Sequence, residues 1–467
     1  MSFPKLNNEQ KNAFRTIAWF LKHPAVDTLI LKGYAGTGKT YLMQALAKWL
    51  REKERDFCLL ASTGRAASVL KGKTGFDAKT VHGELYHFSR VEGDDDTISI
   101  EAPVDKYGQM TLQFRLRASD MAKRVYIIDE SSMLSSEISD TSIAAFGSGE
   151  LMTDLFEATR PNKIIFVGDP CQLPPVGELS SPALDGDWLF HRKRNAITVS
   201  LTTIERTKGD NDVLQLATQV RKFLDELPTI KYTKLPAAGK ENINLYESAD
   251  QLFDAYVFEY NKTGTNGCLA IARSNRMVQN MNRQFRIRLY GKDNEPLRVN
   301  DVLLVYRNNY KVPLTNGDFV VVTSIGEARM KANLRFQSIR IRALASDTDY
   351  ELLLSLDALH GEGQFTKEQQ RDLMIDFSRR VKNKGIAANT PEYKAAMMKD
   401  DYINCLQAAY GYAVTCHKAQ GGEWDNVFLF LDSKMYGMPQ IELFRWWYTA
   451  ITRAKKQLHL ENGWWIC

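Results

Sequence analysis

Apolar positions in this chain follow two alternating rhythms. Residues 7–22 repeat apolar side chains every three or four positions, as one face of a helix requires, and 28–32 then forms a short unbroken apolar run. A glycine-rich turn follows, and 39–53 returns to helical spacing. The order recurs: 57–61 predicts a strand and 65–71 a helix, while 125–128 and 164–167 predict further strands bounded by polar turns. Unbroken apolar runs belong to strands covered on both faces. Strands alternating with helices therefore predict an α/β fold built on parallel sheets.

Two stretches break this rhythm. Within 97–117, Ile98 and Ile100 alternate with polar residues, as do Leu112, Phe114 and Leu116, and Asp105-Lys106-Tyr107-Gly108 lies between them. Period-two alternation around a turn predicts a β-hairpin inserted in the first α/β domain, with the acidic run 94–96 as a solvated loop. A second α/β region starts near Leu201 and includes a strand at 268–272. From 301 the texture changes again. Residues 301–306, 318–324 and 338–344 predict short strands, with Asn316-Gly317 as a turn, which implies a small inserted β-barrel. Thr366-Lys367-Glu368-Gln369 is a capping box that opens a polar helix to about 382, and 410–431 and 446–460 resume α/β character. The expected boundaries are a first domain over 1–200 with its insertion at 85–120, a second over 201–300 and 402–467, and a second insertion, barrel plus helical extension, over 301–401.

The first turn carries the clearest chemistry. Gly33-Tyr34-Ala35-Gly36-Thr37-Gly38-Lys39-Thr40 fits GxxxxGK[ST] between a strand and a helix. Glycines let backbone N–H groups approach phosphates, and the helix N-terminus adds its dipole. Gly33, Gly36, Thr37 and Gly38 are thus candidate nucleotide-binding residues; Lys39 reaches the β- and γ-phosphates and Thr40 ligates Mg²⁺. The strand 125–128 runs into Asp129-Glu130, where Asp129 can hold Mg²⁺ and Glu130 can orient or deprotonate the attacking water. ATP and Mg²⁺ are the implied ligands.

Bulk properties narrow the picture only a little. The 467 residues suffice for several domains, and 44% hydrophobic with 25% charged residues is ordinary for a soluble protein. No apolar run spans a bilayer and 1–8 is polar, so a cytoplasmic protein without a membrane partner is expected. The six cysteines form no CxxC pair and lie away from clustered histidines, which argues against a zinc site or a disulfide framework. A net charge of +5 permits nucleic acid without demanding it.

Several further strings together resemble superfamily 1 helicases, closest to the B group typified by RecD, Dda and the Pif-type enzymes. Asn7-Asn8-Glu9-Gln10 resembles the Q motif, in which Gln10 would read adenine. Thr63-Gly64-Arg65-Ala66-Ala67 resembles motif Ia, with Ser62 where the family often has proline, and Thr80-Val81-His82 resembles the next DNA-contacting motif. Asp129-Glu130-Ser131-Ser132-Met133 is similar to the helicase carboxylate motif. Gly168-Asp169-Pro170-Cys171-Gln172-Leu173-Pro174-Pro175-Val176 is similar to motif III, in which Gln172 would sense the γ-phosphate and the turn at Pro174 would approach DNA. Residues 201–206 resemble motif IV, ending in Arg206 as an arginine finger. Thr415-Cys416-His417-Lys418-Ala419-Gln420-Gly421 resembles motif V and Tyr448-Thr449-Ala450-Ile451-Thr452-Arg453-Ala454 motif VI, with Arg453 as a second finger. Gln420 and Gly421 join the nucleotide-binding set.

The resemblance implies two RecA-like domains with ATP between them, an inserted pin and an SH3-like barrel. It implies DNA contacts at Thr63, Arg65, His82, Pro174, Thr415, His417 and Lys418, with Tyr107 at the pin tip. Single-stranded DNA and its junctions with duplex are the expected partners, alongside other DNA-processing proteins, and one chain contains a complete cleft, so a monomer suffices. Movement from five-prime to three-prime is expected from the B group alone. Three other readings stay open: a translocase that unwinds little, a non-motor phosphate-loop protein, and a DNA-binding subunit without turnover. Both arginines and an intact Lys39, Glu130 and Gln172 weigh against the last two.

Overall fold

The computed structural model describes residues 6–92, 111–117, 123–138, 144–205, 211–230, 232–291, 296–309, 311–388 and 390–467. Two parallel sheets organise them. The first has six strands in the order Ala78–Thr80, Asp56–Ala61, Arg124–Asp129, Lys163–Gly168, Thr28–Gly33 and Ala196–Leu201. Every pairing in it is parallel. Leu29, Ile30 and Leu31 are buried on both faces, as the unbroken apolar run requires. The second sheet has five parallel strands in the order Ile243–Tyr246, Ala454–Glu461, Trp424–Leu429, Cys268–Ala272 and Ala413–Thr415.

Between Cys268–Ala272 and Ala413–Thr415 the chain leaves the second sheet and builds a five-stranded antiparallel one. Its order is Thr348–Ser355, Leu334–Ala343, Phe319–Lys331, Val302–Val305 and Ala408–Tyr410. The strand 318–324 expected from sequence runs much further, to Lys331, bent by two register shifts. It turns at Ala332 and Asn333, both with positive φ (49° and 58°), the backbone a tight two-residue hairpin needs. Ala-Asn is a poor turn signature, which hid this hairpin; the next turn, at 344–347, also lacks glycine and hid the strand Thr348–Ser355. Ala408–Tyr410 pairs with Val302–Val305, so the antiparallel sheet draws on chain beyond 401.

The expected β-hairpin also shifts. Thr111–Leu116 pairs antiparallel with Tyr86–Glu92, and Ala144–Phe146 adds a third, parallel strand. The alternating arm at 98–100 and Tyr107 lie outside the described residues. The Tyr86 hydroxyl donates to Asp154 at 2.7 Å, and the Ser148 N–H donates to the same carboxylate, which is almost wholly buried.

The capping box at Thr366 forms with both of its hydrogen bonds and starts helix Lys367–Lys382. This helix and Pro391–Lys399 do not stand apart as an extension. Met374, Phe377, Val381, Tyr393 and Met397 join the apolar cluster of Tyr86, Phe114, Phe156 and Phe166. The helical pair thus bridges the antiparallel sheet to the three-stranded one and to the first parallel sheet. No helix of the described residues is long and apolar enough to cross a membrane.

Candidate functional site

The phosphate loop takes its shape from Gly36 and Gly38, whose φ angles of 82° and 80° suit only glycine without strain. Gly33 is needed for space: a Cβ there would meet Thr37 Oγ1 at 2.8 Å and Lys39 Cγ at 2.9 Å. Helix Lys39–Glu52 begins directly after the loop. The Lys39 ammonium donates to the carbonyls of Gly33 and Tyr34 at 2.7 and 3.1 Å, which folds it back over the loop.

This loop forms one wall of a cleft of about 420 Å³ between the two parallel sheets. Gly36, Gly38, Lys39, Thr40, Asp129, Glu130 and Gln172 line it from the first sheet's side; Gly421, Thr452 and Arg453 line it from the second's. Strand Arg124–Asp129 delivers Asp129 to its floor. Glu130 then adopts a left-handed backbone at φ 50°, a conformation that costs a side-chain-bearing residue on the order of 1 kcal/mol. Burial, then the neighbouring Glu130 carboxylate, push Asp129 up to about 7. A pair of carboxylates so crowded favours a cation, so the residues present fit Mg²⁺ held by Asp129 and Thr40. Gln172 is 4% exposed and its amide oxygen has no hydrogen-bond partner among the described residues. A buried acceptor left this way suits a ligand that brings its own donor.

Arg453 is also buried. Its guanidinium donates to the carbonyls of Thr449 and Gly422 and to the Thr452 hydroxyl, which fixes its position at the cleft wall. Arg206 lies outside the described residues; its neighbour Glu205 lines the cleft and accepts from the Asn7 side-chain amide at 2.7 Å.

Gln10 lies against the phosphate loop. It completes a capping box with Asn7, and its amide nitrogen donates to the Thr37 carbonyl at 3.2 Å. It therefore braces the phosphate loop from behind and is absent from the cleft lining. Beside it, Glu9 accepts from the backbone of Thr202 and Thr203 and from the Thr202 hydroxyl, tying the first helix to the segment that leads to Arg206.

Contacts between the sheets run through residues of the same sequence strings, of which Gln420 alone carries a role expected from sequence, that of a nucleotide contact. The Tyr448 hydroxyl accepts from the Ala35 N–H at 3.0 Å and donates to Asp169 at 2.7 Å. The Leu173 N–H donates to Thr449 Oγ1 at 2.9 Å, and the Gln420 amide donates to the Leu173 carbonyl at 3.1 Å. Gln420 thus serves this bridge, while Gly421 faces the cleft.

The residues expected to touch DNA divide into two sets. Thr63 and Thr415 are N-caps, accepting from the Ala66 and Lys418 backbone N–H groups, as Thr80, two residues before His82, accepts from Gly83. Pro174 is half-buried beside the exposed Val176. His82 packs against the rings of Tyr86 and Phe146, and burial holds its imidazole below the usual range. Burial likewise lowers His417.

Arg65 is not free to meet a phosphate. Its guanidinium stacks on Trp424 at 4.2 Å and Phe319 at 4.9 Å, one ring from the second parallel sheet and one from the antiparallel sheet. Burial draws it down to about 10. Sequence spacing signals a motif arginine but not the distant rings that enclose it. Lys418 sits over the Tyr306 ring at 3.7 Å and donates to the Asn316 side chain at 3.0 Å; burial lowers it to about 8.

Known proteins match this arrangement. An AAA domain family matches residues 5–223, and a UvrD-like helicase C-terminal domain matches 410–460. The ATP-dependent RecD2 DNA helicase of Deinococcus radiodurans is 25% identical over 429 residues, covering 91% of this chain and 46% of that protein. The chain thus spans less than half of that relative. An uncharacterized protein of Acanthamoeba polyphaga mimivirus is 21% identical over 518 residues, covering 97% of this chain and 99% of that protein. A solved structure of two coordinating Pif1 helicases at forked double-stranded DNA superposes with a TM-score of 0.51 at 15% identity, covering 98% of this chain and 92% of that one, a likeness of fold.

Proposed function

We propose that this chain, which resembles the superfamily 1B, RecD- and Pif-like helicases, is an ATP-driven motor that moves along single-stranded DNA from five-prime to three-prime and unwinds duplex ahead of it. One observation carries this reading. Lys39, Glu130 and Gln172 from one parallel sheet face Arg453 from the other across a single cleft.

In this reading the loop amides and Lys39 hold the ATP phosphates, with Thr40 and Asp129 as ligands to Mg²⁺, which when bound neutralises phosphate charge. Glu130 orients and deprotonates the attacking water. Gln172 reports the γ-phosphate by donating from its side-chain amide N–H, while its unpaired amide oxygen accepts from the attacking water. Arg453 and Arg206 act as the two fingers that meet charge developing on the transferred phosphoryl group. Loss of phosphate changes what the two sheets share, and the Tyr448–Asp169 and Gln420–Leu173 contacts carry that change toward the strand-gripping face. Closure and reopening of the cleft then alternate the grip on DNA.

We read 1–200 and the second sheet with its helices as the two RecA-like domains. The antiparallel sheet is the SH3-like insertion and the three-stranded sheet the base of the pin, with Tyr107 at its tip. Thr63, His82, Pro174, Thr415, His417 and Lys418 form the DNA face, where phosphate contacts dominate and sequence preference is weak. Each chain holds a full cleft, so a monomer suffices.

The test is strand displacement on duplexes with either a five-prime or a three-prime single-stranded tail, with ATP and Mg²⁺, beside Lys39→Ala. Unwinding from the five-prime tail alone, absent in the variant, is the expected result. Unwinding only from the three-prime tail would overturn the direction. ATPase stimulated by DNA without unwinding would replace the helicase with a translocase.

A further inference from the structure

A second cleft, of about 660 Å³, lies between helix Asn275–Tyr290 and the antiparallel sheet, away from the nucleotide. Arg276, Arg283, Arg286, Arg335 and His360 line it, with Tyr410 and side-chain amides between them, and no described lining residue carries a carboxylate. The helix explains half of this pattern. Positions 276, 279, 280, 283 and 287 share one face, while Val278, Met281 and Phe285 on the other are buried in the core of the second parallel sheet. A polar, basic face is thereby turned toward another element across a gap.

Arg286 and Arg335 hold carboxylates outside the lining. Arg286 pairs with Asp301 at 3.1 Å, and Arg335 with Asp357 at 2.9 Å. They keep the walls in place. Arg276 and Arg283 are exposed along the helix face. The Tyr410 hydroxyl is buried and has no hydrogen-bond partner among the described residues. Burial, then Arg335 and Arg286, hold the His360 imidazole below its usual range against the opposing pull of Asp357, so a net positive field reaches it.

The helix that forms one wall of the cleft is tied to the segment expected to grip the strand. Asn282 accepts from the Ala413 N–H at 2.7 Å and donates to the carbonyls of Tyr410 and Ala413 at 2.8 and 3.1 Å. It fastens the helix to the strand that ends at Thr415, where the segment with His417 and Lys418 begins.

We infer that this cleft holds the phosphate backbone of single-stranded nucleic acid, extending the track beyond the motif residues along the helix carrying Arg276 and Arg283. The inference rests on the proposed strand-binding function and adds a second contact region to it. The stretch from 276 to 287 rises about 16 Å, several nucleotide steps. Guanidinium groups without an array of base-sized aromatic walls read phosphate charge and not sequence.

The test compares wild type with Arg276→Glu/Arg283→Glu and with the milder Arg276→Ala/Arg283→Ala, each first shown to melt as wild type does. Affinity is measured for oligothymidylates of about 8 and about 24 nucleotides, without nucleotide, across roughly 50 to 200 mM salt. Losing two phosphate contacts lowers the salt slope by about 1.4, so over that range wild-type affinity for the long oligomer falls about sevenfold more than the alanine variant's. The short oligomer binds all three proteins alike. Unchanged slopes on both oligomers overturn the inference, as does equal loss on both, which would place these arginines in the main track. Wild type binding neither oligomer overturns the strand-binding function itself. Binding of both with no strand displacement overturns only the helicase reading and leaves the cleft standing.

Discussion

The hydroxyl of Tyr448 donates to the carboxylate of Asp169 at 2.7 Å, and that one bond crosses from the helix Gln440–Ile451 on the second parallel sheet to the end of strand Lys163–Gly168 in the first. The same oxygen accepts from Ala35 in the phosphate loop. Tyr448→Phe leaves an N–H and a carboxylate oxygen short of a partner in a buried place, at a cost of about 1–3 kcal/mol. The variant is expected to melt several degrees lower and to lose DNA stimulation of its ATPase more than its basal rate. Calorimetry and ATPase assays with and without DNA check this; an unaltered stimulation ratio would remove Tyr448 from the coupling route.

Arg65 joins three parts of the chain through its flat cation. Arg65→Lys keeps the charge but cannot stack on both Trp424 and Phe319. A loss of about 1–2 kcal/mol is expected, read as an earlier urea midpoint. If Arg65 instead touched DNA, the substitution would weaken oligonucleotide binding and leave the midpoint where it was.

Burial of Lys418 sets the sign of a pH dependence in the proposed DNA binding. Its ammonium is held down to about 8 by burial, so the folded chain releases this proton as pH rises through that value. Below it, the charged form is retained at a cost to stability, and that cost is relieved as pH rises toward the ordinary lysine range. DNA affinity should fall from about pH 7 to about pH 9 in wild type and stay level in Lys418→Arg, whose guanidinium keeps its proton throughout. Bound phosphate moves the midpoint upward without reversing the direction. Fluorescence anisotropy across the range decides it, and parallel curves for the two proteins would refute the assignment.

Gln172 carries an unpaired amide oxygen in the nucleotide cleft. Gln172→Ala should lower kcat about a hundredfold, the order seen when one preorganised polar group leaves a transition state. Nucleotide affinity should change little, since Lys39 and the loop amides remain. Equal losses in both, measured by steady-state kinetics and by titration with a fluorescent nucleotide, would make Gln172 a binding group only.

Legibility in the sequence followed the range of the forces involved. The phosphate loop was plain because glycine backbone freedom, a lysine and a helix start are fixed within eight consecutive residues. The buried strands at 28–32 and 125–128 were plain because full burial leaves unbroken apolar runs. What spacing could not show was partnership at a distance. Gln10 reads as an adenine contact in its string, yet its amide meets Thr37, 27 positions on. Arg65 reads as a phosphate contact until Phe319 and Trp424 enclose it. The strand Thr348–Ser355 was missed because its hairpin turns at 344–347, where Asp347 takes the positive φ and no glycine marks the bend.

The helices Lys367–Lys382 and Pro391–Lys399 have a mechanical consequence. Their apolar side chains share a cluster with Tyr86 and Phe114, joining the insertion of one domain to the insertion of the other. The two parallel sheets meet at the nucleotide cleft, and each connects covalently to its own insertion. The same cluster takes in Phe166 of the first parallel sheet, so that sheet meets the rest of the chain both at the cleft and here, and the contacts close into a loop. In such a closed loop no hinge turns alone: an angle that changes at the ATP joint must reappear at the joint between the insertions, as a slide or a parting of Met374 and Met397 against Phe114.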